Sequence, residues 1–517
     1  MNITEYLNIL RKPDKLWLFS RERTAEKINA LAIIAARDEP AFIYYLIDLL
    51  KSNNKEVREA ISRTIIHLFK QIKHKNEYYN TLKNCNIFKS DLHYFEAEFS
   101  KEVSIELLAI SSLNGNGHIR EEAVKKLAQA KHIRAVPFLI YRLADWVAPV
   151  RQAAMDGIKN YLNISYIDSL IHHLPLFEWV RRTERTDIGP IYHEIIDFIV
   201  KSNRNYIISN YKKYPEKLRL ILAKHISSTL NNNSIELGLL LADKNFLIRK
   251  LTLHHFDKLG KNEIHQLLLD KSSTIRLETL YHLKNSIEFT DTIQLFLADP
   301  SGTIRSYARA ALSQFPIHFE ARYLKNLNEG KQIIGSLCGL AEIQSSKFPE
   351  IVEHYLDYPV QKVRKAAFIA LCKVDREKAY PYAIANLGTD YIGLRRRIID
   401  YLSTIPRQEV LEKARASFQN GDNHLKASML NLFSLIGNWV ALPDLMLGTI
   451  SEEENLRLLS CNYLLVWQKR ATNMYTKPTS KDLERANKVF QYVFETHETK
   501  QYFKTNPVAG LDFYFSA

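Results

Sequence analysis

Glycine and proline are scarce in this chain, at sixteen each among 517 residues, roughly half the usual share. Turns that need special backbone angles are therefore few, which points to helices. Cysteine is scarcer still. Cys85, Cys338, Cys372 and Cys461 lie 34 or more residues apart with no CxxC pair, which excludes a disulfide framework and a zinc ribbon and leaves buried structural thiols as the expectation. Long apolar runs are missing too, since residues 30–36 and 41–50, the latter broken by Asp48, fall short of the ~20 needed to span a bilayer. The first residues carry charges through Arg23 and show no basic start, apolar core and small-residue cleavage site, so no secretion signal is expected and the cytoplasm is the expected location. Catalytic signatures are lacking as well. There is no HExxH and no GxSxG, the pairs His172-His173 and His254-His255 point to different helix faces, and Gly115-Asn116-Gly117 has neither the strand nor the Lys-Ser/Thr of a phosphate loop. No catalytic residue, metal ligand or cofactor is nominated.

What is present is ordinary in amount and regular in placement. Apolar residues at 46% and charged ones at 25% exclude wholesale disorder. The length allows three or four compact domains or one elongated array. An apolar residue followed by a cation recurs at Arg58, Arg120, Arg151, Arg181, Arg219, Arg249, Arg276, Arg305, Arg364, Arg395, Lys426 and Arg457. The steps are 62, 31, 30, 38, 30, 27, 29, 59, 31, 31 and 31, so each of the two long gaps hides a degenerate unit, near Phe88-Lys89 and near Ile334-Gly335. About fourteen units of some thirty residues result. Aspartate precedes the cation by six residues at Asp145, Asp243, Asp270 and Asp299, with Asn114 in the same place before Arg120. An Asp in the turn between two helices can accept from free amides at the second helix's start, while the Arg one turn later reaches a neighbouring unit's Asp. Around each cation the apolar spacing is helical, as at Ala153, Ala154, Ile158 and Leu162.

That unit resembles a HEAT repeat, particularly the short bacterial kind named after phycobilisome lyases, over residues 41–465. The resemblance implies an all-α fold, a right-handed α-solenoid of about fourteen helical hairpins that gain stability by stacking on neighbours. It divides the chain into capping helices at 1–40, the solenoid at 41–468, and a linker, a helix at 481–495 and an aromatic tail at 469–517. The tail, with Phe503, Phe513, Tyr514 and Phe515, either packs across the last repeat or serves as a docking segment. Three features depart from the pattern: Gly335 replaces the cation, Pro175 replaces the Asp before Arg181, and the step to Arg219 is 38 residues.

The net charge of +14 is concentrated in residues 201–400, which contribute +10. The residue after the column cation is Arg182, Lys250, Lys365 or Arg396 in four units, which would set a basic stripe facing an anionic partner. Other units place Glu59, Glu121, Leu277 or Ser306 there, so a plain solvated face competes with that reading. The irregular rung offers Trp146, Trp179, Arg185 and Asp187, which superficially resemble the Trp, Asp and Arg cluster of HEAT-like glycosylases. Stapling of adjacent hairpins is the ordinary alternative for both tryptophans. The function expected is a non-enzymatic scaffold or adaptor that binds another macromolecule, a protein before a nucleic acid, on its concave surface. The alternatives are a DNA-binding repair protein of the alkylpurine glycosylase type, for which fourteen repeats are more than enough, and a lyase-like chaperone that loads a prosthetic group onto a protein.

Overall fold

The computed structural model describes residues 3–13, 23–72, 75–183, 186–230, 234–405, 407–471, 473–474 and 476–515. Among them every regular element is helical. The chain is an all-α solenoid, and it divides into two units, residues 1–265 and 266–517, each a stack of helical hairpins. Seven column positions fall in each unit. The two degenerate rungs are present: the helix Lys89–Glu98 begins at the first, and Ile333–Glu342 carries Gly335 at the second.

Hairpin stacking follows from three features of the second helix. The apolar residue before the column cation points inward, as Ile119, Val150, Ile248, Ile304 and Leu394 do, all nearly inaccessible. Three residues after the cation a small side chain recurs, Ala123, Ala154, Ala308 and Ala367, each fully buried, so consecutive second helices can approach closely. Caps then fix where these helices begin. Asn54, Asn116, Asn245 and Asp422 each accept from an amide of the first turn, which satisfies donors that have no partner inside the helix.

The Asp and Arg columns form a ladder. In nine rungs the column Arg donates through Nη1 to the carbonyl six residues back, over 2.6–3.2 Å. The aspartates accept at Oδ1 from the amide two residues on, as Asp145 does from Val147 at 2.9 Å and Asp299 from Ser301 at 2.7 Å. Between rungs, Arg120 grips Asp145 through Nε and Nη2, both at 3.0 Å, and Arg219 grips Asp243 in the same way. Arg276 holds Asp299 through the same two nitrogens at 2.9 and 2.7 Å. Arg305 has lost its aspartate. It pairs instead with Glu342 on the glycine-bearing helix, where Arg309 joins it.

Within the first unit one helix is enclosed. Every residue from 104 to 114 is buried, on the helix Lys101–Ser111 and its C-terminal turn. Phe69 stacks on Phe138 at 5.8 Å, and Tyr78 meets Tyr141 edge-on at 5.8 Å. The polar residues inside are satisfied: Ser111 and Ser112 donate to carbonyls one turn back, and Asn114 donates to Cys85.

In the second unit the final helix runs Ser480–Lys500, five residues beyond the 495 expected, because its apolar stripe continues to a buried His497. The aromatic tail packs back on the last repeat. Val508, Leu511 and Phe515 are buried, Phe515 lies on Phe490 at 5.5 Å, and Tyr514 meets Trp467 at 5.5 Å.

Candidate functional site

The irregular rung of the first unit gathers the densest chemistry. Pro175 stands where other rungs carry the turn Asp, and the residue six before Arg219, where an acceptor for Arg181 would lie, is Lys213, so Arg181 has no ladder contact to the next rung. It turns to its own helix, Leu174–Arg181, pairing with Glu178 at 3.1 Å and lying over the Tyr192 ring at 4.9 Å. Tyr192 comes from Gly189–Asp197, the helix added by the 38-residue step. Its hydroxyl donates to Glu178, so its oxygen is free to accept from His225 Nε2 at 2.9 Å. His225 belongs to the next second helix, Glu216–Ser228.

Burial and charge oppose each other in this cluster. Burial alone would raise the Glu178 carboxyl, but the Tyr192 hydrogen bond and the Arg181 charge outweigh it and hold the group below the usual carboxylate range. Burial pushes His225 below its ordinary value, against the pull of Glu178. Tyr192 is raised, by burial first and then by its bond to Glu178. A neutral His225 thus belongs to the folded state. The unfolded chain binds its proton near pH ~6.5 and the folded chain only lower, so stability present above that value is lost as pH falls. The melting temperature of the first unit should drop between about pH 7 and 5, and His225→Gln should flatten part of that drop. Identical slopes in the two proteins would refute the assignment.

The residues proposed from sequence for the irregular rung and the basic stripe each make their own contacts. Trp179 stacks on Tyr141 with ring centroids 5.7 Å apart and planes 11° apart, half-buried. Trp146 is exposed beneath the Arg120 guanidinium at 5.6 Å. Neighbouring Asp145 is consumed by Arg120, Arg142 and the Val147 amide, so it is not available to a ligand beside Trp146. Asp187 is exposed and accepts from the Gly189 amide at 2.8 Å, which starts the inserted helix. Arg185 lies outside the described residues. Of the basic positions, Arg182 and Arg396 are exposed, whereas Lys250 and Lys365 are half-buried rather than fully solvent-facing.

Glu178, Tyr192 and His225 had no signal in the repeat pattern, because their link spans an insertion that has no counterpart in other rungs. Asp444, held by Arg415 and Arg485 in the second unit, was missed because none of the three stands in the repeated column. Of the cysteines, Cys85 is buried and the others are half-buried; burial pushes the thiols of Cys85 and Cys372 up to about 12 and that of Cys461 to about 11, so none is a poised nucleophile. Among the described residues no cluster of three His, Cys, Asp or Glu side chains could hold a metal ion, and no helix is long and apolar enough to cross a membrane.

No family model matches the chain, and no curated protein does. Solved structures similar to it include Kap121p bound to Nup53p, at 13% identity over 94% of this chain and 65% of that one, with a TM-score of 0.36. The karyopherin Kap121p bound to the extreme C-terminus of the phosphatase Cdc14p is 12% identical over 96% and 62%, at 0.33. Kap95p with RanGDP is 11% identical over 99% and 65%, at 0.27. The chain thus spans less than two thirds of the length of these proteins.

Proposed function

We propose that this protein is a helical-repeat scaffold that binds another protein. One observation carries the reading: the half-buried Tyr141 and Trp179 stack side by side in the first unit, with Tyr78 edge-on to Tyr141 and the exposed Arg181 and Arg182 following Trp179 in sequence. Aromatic rings with adjoining arginines are what the centres of protein interfaces use, because rigid rings bury large area at little entropic cost. Nothing in the group needs a reacting atom. Tyr192, His225 and Glu178 satisfy one another and hold the inserted helix against the rung that bears Trp179.

Affinity purification of the tagged full chain from its host, repeated at ~50 and ~200 mM salt, tests the reading. A protein partner held by apolar and aromatic contact should persist, whereas duplex DNA or RNA held through six or more phosphates should weaken by orders of magnitude. Trp179→Ala should weaken the partner at least tenfold with helical content retained, as removal of an interface hot spot does. Enrichment of nucleic acid alone, or an unchanged partner with the Trp179→Ala chain, would defeat the scaffold reading and favour the glycosylase-like alternative or another surface.

A further inference from the structure

The end of the second unit closes over a histidine. His497 lies in the last turn of the helix Ser480–Lys500 with only 4% of its surface exposed. Tyr502 and Phe503, just past the helix end, cover its ring at 6.1 and 5.8 Å. From there the chain turns back along the helix. Asn506 donates to the Phe494 carbonyl, and Val508, Leu511 and Phe515 are buried. Because the imidazole also packs on the fully buried Thr449, bringing it into water means lifting the chain that follows it.

The hydrogen bonds fix which nitrogen carries the proton. Thr449 gives its hydroxyl hydrogen to the Met446 carbonyl at 2.7 Å, so its oxygen can only accept from His497 Nε2, 2.9 Å away. Nε2 therefore bears the hydrogen in the neutral ring, and Nδ1 is a bare acceptor, enclosed and without a partner. Protonation would turn Nδ1 into a second donor with nothing to receive it. Charge opposes it as well. Arg457, on the helix Glu454–Ala471, lies over the Tyr502 ring at 4.4 Å and acts on His497 with like charge. Glu498 pulls the other way more weakly, and it already accepts from Asn506 at 3.3 Å. The other cations nearby are Lys500, 5.8 Å from the Tyr502 ring, and exposed Lys504, which shares with His497 and Glu498 the wall of a cavity of about 510 Å³. Burial first and Arg457 second hold the imidazole below its ordinary value.

We propose that His497 is an acid-sensitive latch: its neutral ring keeps residues 501–515 packed on the final helix, and its protonation lets that segment lift away. A lifted segment leaves the imidazole in water, where it binds a proton near pH ~6.5, whereas the packed form binds it only at lower pH. Packing is thus fully favoured above that value and weakens as pH falls. With one proton taken up, the lifted population should rise about tenfold between pH ~7.5 and ~5.5. Lifting uncovers Trp467, on which Tyr514 rests, and Phe490, which carries Phe515. The latch goes beyond the scaffold reading, since it sets whether an apolar surface at the end of the second unit is open, whatever binds elsewhere.

Amide exchange of the full chain, read by mass spectrometry and expressed as protection relative to the intrinsic rate at each pH, tests it. Peptides spanning 501–515, where the Ala509, Leu511 and Phe515 amides are hydrogen-bonded, should lose about tenfold in protection between pH ~7.5 and ~5.5. A peptide covering the buried Met429–Phe433 stretch should keep its protection. His497→Gln can still donate to Thr449 but does not titrate, so its tail should respond less than about twofold; exposed His424→Gln should respond as wild type does. If His497→Gln lifts the tail already at pH ~7.5, the wild-type curve decides: protection should be level above pH ~7 and approach a tenfold fall per pH unit below ~6. Unchanged protection in wild type, a fall that begins only in the carboxylate range, an equal fall in the Met429–Phe433 peptide, or a packed His497→Gln tail that falls as wild type does would each overturn the latch.

Discussion

Asp145→Ala should destabilise the first unit by more than the ~3–5 kcal/mol typical of breaking a buried ion pair. Asp145 receives Arg120 through two nitrogens and Arg142 at 2.6 Å, and both side chains of the Arg120–Asp145 pair are 1% exposed. Removing the carboxylate leaves two buried guanidiniums of like charge in one low-dielectric pocket, with Arg142 Nε and Nη2 already lacking partners. The amide of Val147, at the start of the next helix, loses its acceptor as well. Burial opposes ionisation of Asp145, yet the Arg120 bond, the Arg142 charge and the Val147 amide together lower its pKa, so the charged form is the folded one. Asp145→Asn, which keeps an acceptor and loses the charge, should fall between wild type and alanine. Exposed Asp156, outside the ladder, is the control, and its alanine variant should stay within about 0.5 kcal/mol. Urea or thermal melts followed by circular dichroism read the difference. A wild-type midpoint for Asp145→Ala would show that the ladder contributes nothing to the fold.

The second large effect is expected at Gly335→Ala. A methyl group there would lie 1.8 Å from the Ala298 carbonyl oxygen and 2.3 Å from its carbon, both backbone atoms that cannot rotate away. The helix Ile333–Glu342 must therefore move off the preceding turn, and the cost should exceed the ~1–3 kcal/mol usual for overpacking. That turn includes Asp299, the partner of Arg276, and the same helix carries Glu342, the partner of Arg305 and Arg309. Displacement would strain two ladder contacts together. A melt with Gly335→Ala matching wild type would show that the helix can shift without loss.

The same glycine explains one of the sequence irregularities. The missing cation at Gly335 reads as decay of the repeat in one dimension, but the structure shows a close helix approach that excludes any side chain, with the acid moved seven residues along the helix to Glu342. The helical hairpins were legible because apolar, cationic and small residues recur at fixed offsets from one column. Contacts between residues outside that column were not. Tyr192 and His225 are 33 residues apart with no periodic counterpart, and Asp444 gathers Arg415 and Arg485 from 29 residues before and 41 after it. The stripe of Arg182, Lys250, Lys365 and Arg396 shows the opposite limit: a shared repeat position guarantees a similar place on each hairpin but not similar exposure, since Lys250 and Lys365 are half covered where Arg182 and Arg396 are not.

A stack in which each hairpin touches only its neighbours can unravel from an end, one hairpin at a time, and its free energy is a sum of nearest-neighbour terms. The enclosed helix Lys101–Ser111 breaks that rule in the first unit. Phe69 and Tyr78, before it in sequence, meet Phe138 and Tyr141, after it, so the aromatic contacts couple segments that lie beyond nearest neighbours. Fraying that reaches this helix exposes a segment buried on all its faces, and the loss is shared by hairpins before and after it. Amide exchange in residues 104–114 therefore requires cooperative opening of the surrounding hairpins, and these amides should be among the slowest to exchange in the unit.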